Sequence, residues 1–348
     1  MSEPLTPGLP GGTPRIPLEL PIFVLAISFV VTLALMPGLL RRLRRQGLVV
    51  RDMYKPGDAD LVTHAGLLGL ALSVAALVGT LVVEPWAYRS LPPSSDVTGP
   101  VVAAQLALFT MCGYGIVGAI DDRRPLSQLT KAVVPLTLAF PAVALAASRA
   151  DSTALLALVP ALQPYAFAIL LAVVPVYVLV VTNLVNMHSG FNGLQSGLSI
   201  LLMTTILARL FIEGRLESNL GLVVVLGSTM AFYPFNRFPA KALEGNVGSF
   251  LVGATIGVAI AANGLFLAGI VMLAPHILDF TLFAFAKAAG RPFVKFGRLR
   301  ADGTIEAPYP FKLKFLLPYY ARLTEPNTVR LLYVLTAIAC MASFLVPL

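Results

Sequence analysis

The sequence predicts an all-α protein, a bundle of about ten helices that cross a membrane. Of its 348 residues, 57 % are hydrophobic and only 12 % are charged, and the mean hydropathy is +0.84. Soluble domains are about 45–50 % apolar and about 25 % charged. The apolar runs reach the length of ~20 residues that a membrane helix requires. They do not alternate apolar and polar residues as membrane β-barrel strands do, so helices are predicted.

The predicted spans account for most of the chain. They lie at residues 18–40, 66–84, 100–120, 130–147, 165–182, 194–211, 219–235, 248–264, 266–287 and 327–347. Residues 18–348 are therefore predicted to form a single multi-pass domain. Residues 1–17 lack the basic segment of a cleaved signal peptide and are expected to be an extracytoplasmic tail. Cys112 and Cys340 lie in apolar runs and are predicted to be packed thiols, without a disulfide or zinc site.

The basic residues predict the orientation of the bundle. About twenty of the 25 lysines and arginines fall in alternate loops, which places them on one side. By the positive-inside rule that side is cytoplasmic, and both termini then face outward. The positive face suits anionic lipid headgroups or a phosphorylated substrate. Lipid anchoring is the simpler interpretation for the cluster Arg41–Arg45.

Two adjacent carboxylates, Asp121 and Asp122, follow the third predicted span directly. At a helix C-terminus they repel each other and oppose the helix dipole. A divalent cation would relieve this repulsion, so the pair is a candidate metal site or general base. Charge pairing with Arg123 and Arg124 is the alternative. Lys131 begins the next span, either as a phosphate-binding cation or as a snorkelling anchor.

The segment Asn183–Gly193, here called the asparagine loop, is unusually polar for a turn between two spans. It holds three asparagines, a histidine, a serine and two glycines. A turn needs only a few such residues. The composition therefore favours a polar ligand or metal site at the membrane surface, and a simple polar hairpin cap is the alternative.

The next connection on the same side has glycines around the start of the eighth span, in Gly245–Ser249. Such a turn exposes backbone N–H groups to an anion, although helix capping by Asn246 or Ser249 explains it equally well. His64 and His188 could approach the site or make only local hydrogen bonds. In the ninth span His276 and Asp279 are at i, i+3 spacing, which favours a structural pair.

Taken in order, these motifs resemble those of the polyprenyl-phosphate N-acetylhexosamine-1-phosphate transferases, the glycosyltransferase family 4 type. The dolichyl-phosphate GlcNAc-phosphotransferases of archaea and eukaryotes are the most similar group. The resemblance runs from about Asp52 to Phe311, and the asparagine loop is its most specific part. The four motifs are Asp52-x-x-Lys55 followed by Gly66, Asp121-Asp122 with Leu126 and Lys131, Asn183-x-x-Asn186-x-x-x-Gly190-x-Asn192-Gly193-Leu194, and Asn236-x-x-Pro239-Ala240-Lys241 running to Gly245-Asn246-Val247-Gly248-Ser249.

The resemblance implies a reaction and a set of residue roles. A polyprenyl or dolichyl phosphate would attack a UDP-N-acetylhexosamine, giving polyprenyl-diphospho-sugar and UMP at the cytoplasmic face of a plasma membrane. Mg²⁺, or alternatively Mn²⁺, would be the cofactor. The implied catalytic residues are Asp121, Asp122 and Lys131, the implied metal ligands are Asn186 and Asn246, and the implied substrate-binding residues are Lys55, His64, Gly190, Asn192, Lys241, Arg291, Lys295 and Arg298.

Three departures from the family pattern bear on that expectation. Asn246 stands where the family has a metal-binding Asp, and a carboxamide brings no charge unless another carboxylate such as Glu244 compensates. Leu243 replaces an aromatic residue expected near the nucleotide. The last loop, residues 288–326, has no histidine. Its cluster of Arg291, Lys295, Arg298 and Arg300 can substitute through charge.

Two other functions compete with the transferase interpretation. A catalytically weak or silent relative would bind lipid phosphate or nucleotide without turnover, which Asn246 and the altered last loop favour. A transporter would carry polar residues at mid-span and broken helices in both halves, whereas the polar groups here gather at one surface. A homodimer is a further expected partner arrangement, and no nucleic-acid partner is expected.

Overall fold

The computed structural model describes residues 19–54, 60–90, 98–148, 160–214, 216 and 219–347. Helices make up most of these residues, as predicted. In chain order they are α1 (Glu19–Arg45), α2 (Leu67–Ser90), α3 (Thr98–Arg123), α4 (Gln128–Leu138), α5 (Phe140–Ala147), α6 (Ala166–Met187), α7 (Leu194–Ile212), α8 (Leu220–Asn236), α9 (Gly245–Ala262), α10 (Phe266–Met272), α11 (Ala274–Ala288), α12 (Leu313–Tyr320) and α13 (Glu325–Ser343). The predicted tail, residues 1–17, and Lys55 lie outside the described residues.

The described chain contains several helices that are long and apolar enough to cross a membrane, so this is a multi-pass membrane protein. Six qualify outright: Glu19–Arg45, Val101–Arg123, Gln128–Ala147, Ala161–Met187, Leu194–Ile212 and Gly245–Ala262. The pair α10 and α11, bent by 68°, gives a seventh if it is counted as one span. Each of the ten predicted apolar segments coincides with one or two helices.

Two predicted spans are broken, and proline marks both breaks. Pro141 lies in the first turn of α5 and Pro275 in the first turn of α11. Proline has no N–H group to continue a preceding helix, but it fits a first turn, where that N–H would be unpaired. The predicted spans 130–147 and 266–287 are therefore each a pair of helices.

Helix α9 is the centre of the bundle, because 78 % of its apolar stretch of 18 residues is buried. It packs mainly against α3 and α6. Small residues permit this close packing, as is usual between membrane helices. A Cβ at Gly253 would overlap the backbone of Thr182 on α6, and one at Gly118 on α3 would overlap the carbonyl of Asn246. The beginning of α9 is thus pressed against the end of α3.

The polar loops meet at one end of this bundle. The first contains an antiparallel pair of short strands, β1 (Val49–Arg51) and β2 (Asp60–Val62). The chain after β2 continues this pairing with the segment before α9, since Ala65 N donates to Leu243 O and Leu243 N donates to Val62 O. We call this contact between residues 62–66 and 241–244 the seam. It joins the first loop to the fourth.

The last loop also folds back onto this end. It contains a hairpin of β3 (Arg298–Leu299) and β4 (Ile305–Glu306), followed by α12. A buried aromatic cluster attaches it to the other loops, with Phe191 between Tyr54 of the first loop and Phe315 of α12. A buried ion pair, Lys312 Nζ to Asp279 Oδ2 at 2.9 Å, fixes the start of α12 against α11.

Candidate functional site

The two aspartates at the end of α3 are bound by the beginning of α9 and of α4. Asp121 is 5 % exposed and accepts hydrogen bonds from Lys131 Nζ at 2.8 Å, Asn246 Nδ2 at 2.9 Å and Leu126 N at 2.8 Å. Three donors, one of them charged, compensate the buried carboxylate. We call Asp121, Asp122, Lys131 and Asn246 the acidic junction.

Asp122 caps α9 from another helix. Its carboxylate accepts from Asn246 N at 2.8 Å and from Val247 N at 3.0 Å. Helix N-termini leave such N–H groups unpaired, and a negative charge there also suits the helix dipole. The Gly-rich turn thus receives its anion from within the protein, in place of the predicted capping by Asn246 or Ser249.

The alternative of pairing with arginines is not what the contacts show. The ion-pair partner of Asp121 is Lys131, whereas Arg123 donates to Ala119 O in its own helix. His64 approaches Asp122, with its Nε2 3.4 Å from the backbone oxygen of that residue. It is buried and has a positive φ of 66°, which is uncommon for a residue with a side chain. A Cβ on Gly245 would lie only 3.1 Å from the Cα of His64, so a side chain at Gly245 would crowd the His64 backbone.

The asparagine loop begins within the last turns of α6, which ends at Met187, and then turns sharply at two glycines, Gly190 with φ 98° and Gly193 with φ 76°. Asn192 ties three loops together. Its Nδ2 donates to Asp52 at 3.3 Å and its Oδ1 accepts from Ala240 N at 2.8 Å. Both polar atoms of this carboxamide therefore bind within the protein.

A cavity of about 370 Å³ lies between the loops. It is bounded by the first loop, the asparagine loop, the start of α9 and one part of the last loop. Six of the predicted site residues line it: Asp122, Gly190, Asn192, Asn186, Asn246 and Lys295. Asp121 and His64 do not line the cavity but contact Asn246 and Asp122, which do, and Lys131 is linked to it only through Asp121. The motifs from separate loops are thus brought together.

Three predicted substrate-binding residues are not brought to this cavity. Arg291 and Arg298 are exposed on the last loop, and Arg298 lies opposite Glu306 in the β3–β4 hairpin. Lys241 is also exposed, and its backbone carbonyl accepts from Val62 N in the seam. Lys55, the remaining one, lies outside the described residues.

Asp279, predicted to pair with His276, takes its hydrogen bonds from the last loop instead. Asp279 accepts from Lys312 Nζ and from Leu313 N at 2.6 Å. A charged amine forms a stronger hydrogen bond to a buried carboxylate than a neutral imidazole does. His276 instead packs edge-on against His188, with ring centroids 4.7 Å apart. Burial and the nearby lysines of α12 lower the pKa of His188 to about 3. His188 is therefore neutral and lies away from the cavity lining.

Three further side chains lie at the site: the sequence pointed to Glu244 as a compensating carboxylate, whereas Gln195 and Lys314 carried no recognisable motif. Gln195 and Glu244 line the cavity, and burial raises the pKa of Glu244 to about 7. Lys314 donates from Nζ to Ser189 O at 2.9 Å, and burial lowers its pKa to about 8. Lys314 lies 125 residues from the loop it contacts, so no local spacing could reveal the contact. Only the pair Lys312-x-Lys314 in an otherwise apolar segment is a visible signal.

The sequence also matches known proteins along most of its length. A family model described as glycosyl transferase family 4 matches residues 104–264. The chain is 23 % identical over 317 residues to a protein of Saccharolobus solfataricus, with 90 % of this chain and 92 % of that protein aligned. It is 25 % identical over 282 residues to one of Sulfolobus acidocaldarius, with 80 % of each aligned. Both are named "Putative UDP-N-acetylglucosamine--dolichyl-phosphate N-acetylglucosaminephosphotransferase".

A bacterial group matches over a shorter region. The phospho-N-acetylmuramoyl-pentapeptide-transferase of Clostridium kluyveri is 27 % identical over 167 residues, which is 45 % of this chain and 53 % of that protein. The resemblance expected from the motifs is confirmed by these matches, including the similarity to archaeal proteins.

Proposed function

We propose that this chain, a member of the glycosyl transferase family 4 superfamily, transfers N-acetylhexosamine-1-phosphate from a UDP-sugar to a polyprenyl or dolichyl phosphate. GlcNAc is the expected sugar, as in the names of the archaeal relatives. The observation that carries the proposal is the cavity in which Asp122, Asn186 and Asn246 meet at the polar end of an apolar helix bundle.

The chemistry needs a site of this kind. An oxygen of the lipid phosphate forms a bond to the sugar-proximal phosphorus of the UDP-sugar, and the bond from that phosphorus to UMP breaks. The reactants carry like charges, so catalysis depends on positioning and on charge neutralisation. The acceptor keeps its tail in the bilayer while its headgroup meets a water-soluble nucleotide. Loops at the end of membrane helices satisfy both conditions.

The residues fit a magnesium site of modest charge. The NH₂ group of Asn246 is used by Asp121, so the carboxamide oxygen is the atom that remains for a cation. Mg²⁺ typically takes one or two carboxylates together with substrate phosphates and water. Asn186, Asn246 and Asp122 would hold it at the cavity, and Mn²⁺ would fit the same donors. Bound there, the ion would neutralise phosphate charge.

Lys131 is proposed as the phosphate-binding cation, positioned by Asp121. Their contact of 2.8 Å fixes the amine, and the Lys131 side chain is still 28 % exposed. Lys295 from the last loop is proposed as a second cation, since it lines the cavity and lies over the Phe296 ring. Gly190 and Asn192 would contact the uracil through the asparagine loop.

The proposed placement in the membrane follows the sequence. Ten spans, both termini outside and polar loops in the cytoplasm would place the cavity where UDP-sugars are available. The plasma membrane is the expected location, and residues 18–348 are treated as one domain. The UDP-sugar, the lipid phosphate and the bilayer are the proposed partners.

Purified protein incubated with Mg²⁺, polyprenyl phosphate and radiolabelled UDP-GlcNAc tests the proposal. Labelled lipid together with UMP in equal amounts is the expected result. Parallel reactions with UDP-GalNAc and UDP-MurNAc-pentapeptide identify the sugar. No labelled lipid with any of the three donors, from protein that still binds UDP, would contradict the proposed reaction.

The second candidate, binding without turnover, is favoured by one observation. The carboxylates of the acidic junction accept five hydrogen bonds within the protein. Binding of UDP-GlcNAc without release of UMP in the same assay would support it.

A further inference from the structure

Three side chains from the C-terminal part of the chain bind the backbone of the asparagine loop. Lys314 Nζ donates to Ser189 O at 2.9 Å, Glu325 Oε1 accepts from Asn192 N, and the Tyr333 hydroxyl donates to Gly193 O. All three lie beyond residues 104–264, the region that the family model matches. The second half of the asparagine loop, at residues 189, 192 and 193, is thus held at three points by one distant segment.

These side chains are themselves held in place. Lys314 lies over the rings of Phe191 and Phe315, with its Nζ 5.5 and 5.1 Å from their centroids. Glu325 is 2 % exposed and opens α13, where Thr324 accepts a capping bond from Asn327 N. Hydrogen bonds from charged groups in such buried positions are stronger than those at the surface. The contacts therefore restrain the loop.

Two glycines, Gly190 and Gly197, lie at the points where the restraining side chains come closest to the backbone. A Cβ at Gly190 would overlap Lys314 Nζ, and a Cβ at Gly197 on α7 would overlap the Tyr333 hydroxyl. Gly190 also has a positive φ, which side chains other than glycine rarely adopt. The loop and the C-terminal segment are therefore shaped to fit each other.

The same stretch of the loop lines the cavity. Ser189, Gly190, Phe191 and Asn192 all line it. Neither Lys314, Glu325 nor Tyr333 is among the residues that line this cavity. Their place is behind the loop, so they act on a ligand only through the loop.

We propose that Lys314, Glu325 and Tyr333 are positioning residues that hold the asparagine loop in the shape that receives the nucleotide of a UDP-sugar. This inference rests on the proposed function. Loops that are already ordered lose less conformational entropy on binding, so ordering the loop in advance raises affinity. Loss of a restraint therefore weakens binding of the UDP-sugar and leaves the lipid phosphate unaffected.

Lys314→Met is the first test, with Lys287→Met as the matched control, since Lys287 is an exposed lysine at the end of α11. A charged hydrogen bond contributes enough that the KM for UDP-GlcNAc should rise about tenfold. The kcat and the KM for polyprenyl phosphate should change by less than about twofold, as expected for loss of binding alone. Backbone amide hydrogen exchange in residues 188–194 should accelerate in Lys314→Met only.

Tyr333→Phe tests the inference without removing a charge, and Tyr320→Phe at an exposed position of α12 is its control. The same residues 188–194 should exchange faster in Tyr333→Phe, and UDP binding should weaken. Unchanged exchange in both test variants would overturn the inference, as would an equal rise in KM for both substrates. Exchange and UDP binding need no turnover, so an inactive wild-type protein would refute the proposed reaction and leave these measurements informative.

Discussion

The acidic junction, through Asp122 and Asn246, and the asparagine loop reach the same cavity, but they are built in opposite ways. In the junction the side chains do the holding: Asp121 and Asp122 together join α3 to the starts of α4 and α9. In the asparagine loop the backbone is held from behind by Lys314, Glu325 and Tyr333. Not all polar residues in a motif contact the substrate, since some of them hold the structure that positions the others.

Asn186→Ala tests the asparagine loop, and we expect it to have the largest effect of all the variants, a loss of transfer. The Asn186 side chain lines the cavity, so transfer should fall at least about a hundredfold through lost charge stabilisation. The unfolding temperature should stay unchanged. Asn183→Ala is the control, because Asn183 donates to Leu179 O within α6 and does not line the cavity. Equal loss of transfer in both variants, measured with labelled UDP-GlcNAc, would remove Asn186 from the proposed metal site.

Asp122→Ala tests the acidic junction, and it should lower the stability of the protein. Two N–H groups at the start of α9 lose their acceptor, which should lower the free energy of unfolding by about 2 kcal/mol. Denaturant unfolding in detergent micelles measures this, with the exposed Asp60→Asn as control. Unaltered stability would mean that Asp122 does not cap the helix.

Asn246→Asp sharpens the comparison by adding a charge to the junction. The new carboxylate would lie against Asp121 Oδ2, which now accepts from the Asn246 amide at 2.9 Å. Like charges at that distance favour a bound cation, so Mg²⁺ affinity should rise about tenfold. The stabilisation of the fold by added Mg²⁺ reports this without any turnover. Asn327→Asp on the exposed surface of α13 should show no such response.

The pH dependence of the loop gives the smallest expected effect. Lys314 has a pKa lowered to about 8 by burial first, and then by Lys312 and Lys295, against the opposing effects of Asp279 and Glu325. As pH rises through 8 the amine of Lys314 loses its charge, so the KM for UDP-GlcNAc should increase about threefold. Lys314→Met should show a flat profile over the same range.

Deprotonation of Lys314 should favour the folded state while it weakens binding of the UDP-sugar, so the two effects can be separated. The Lys314 pKa in the folded protein lies below the ordinary value of 10.5. Above pH 8, therefore, the unfolded chain binds more protons at this residue than the folded chain does. Its contribution to the free energy of unfolding consequently rises with pH. A fall in stability over this range would have another origin.

Much of the architecture could be read from the sequence because it depends on local composition. Apolar runs of span length predicted helices at all ten positions, and the motifs predicted that Asn186, Asn246 and Asp122 would meet. The two broken spans were missed because proline is tolerated inside membrane helices and its presence alone does not mark a break.

The remaining features depend on contacts between distant residues. The partners of the asparagine loop are 125 to 140 residues away, and no periodicity connects them. The pair of His276 and Asp279 was predicted from i, i+3 spacing, but Lys312 from another element competes for the same carboxylate. Local spacing describes which side chains can meet, whereas burial and charge decide which ones do.

The seam between the first and fourth loops restricts how substrates can enter. Gly66 and Gly248 are so close that a Cβ on Gly66 would overlap the other glycine's backbone, and Gly66 N also donates to Glu244 O at 3.0 Å. These two walls cannot part without breaking that contact, so they form one rigid side of the cavity. A nucleotide sugar is therefore expected to enter without separating the seam, and we expect a disulfide engineered across the seam to leave turnover intact.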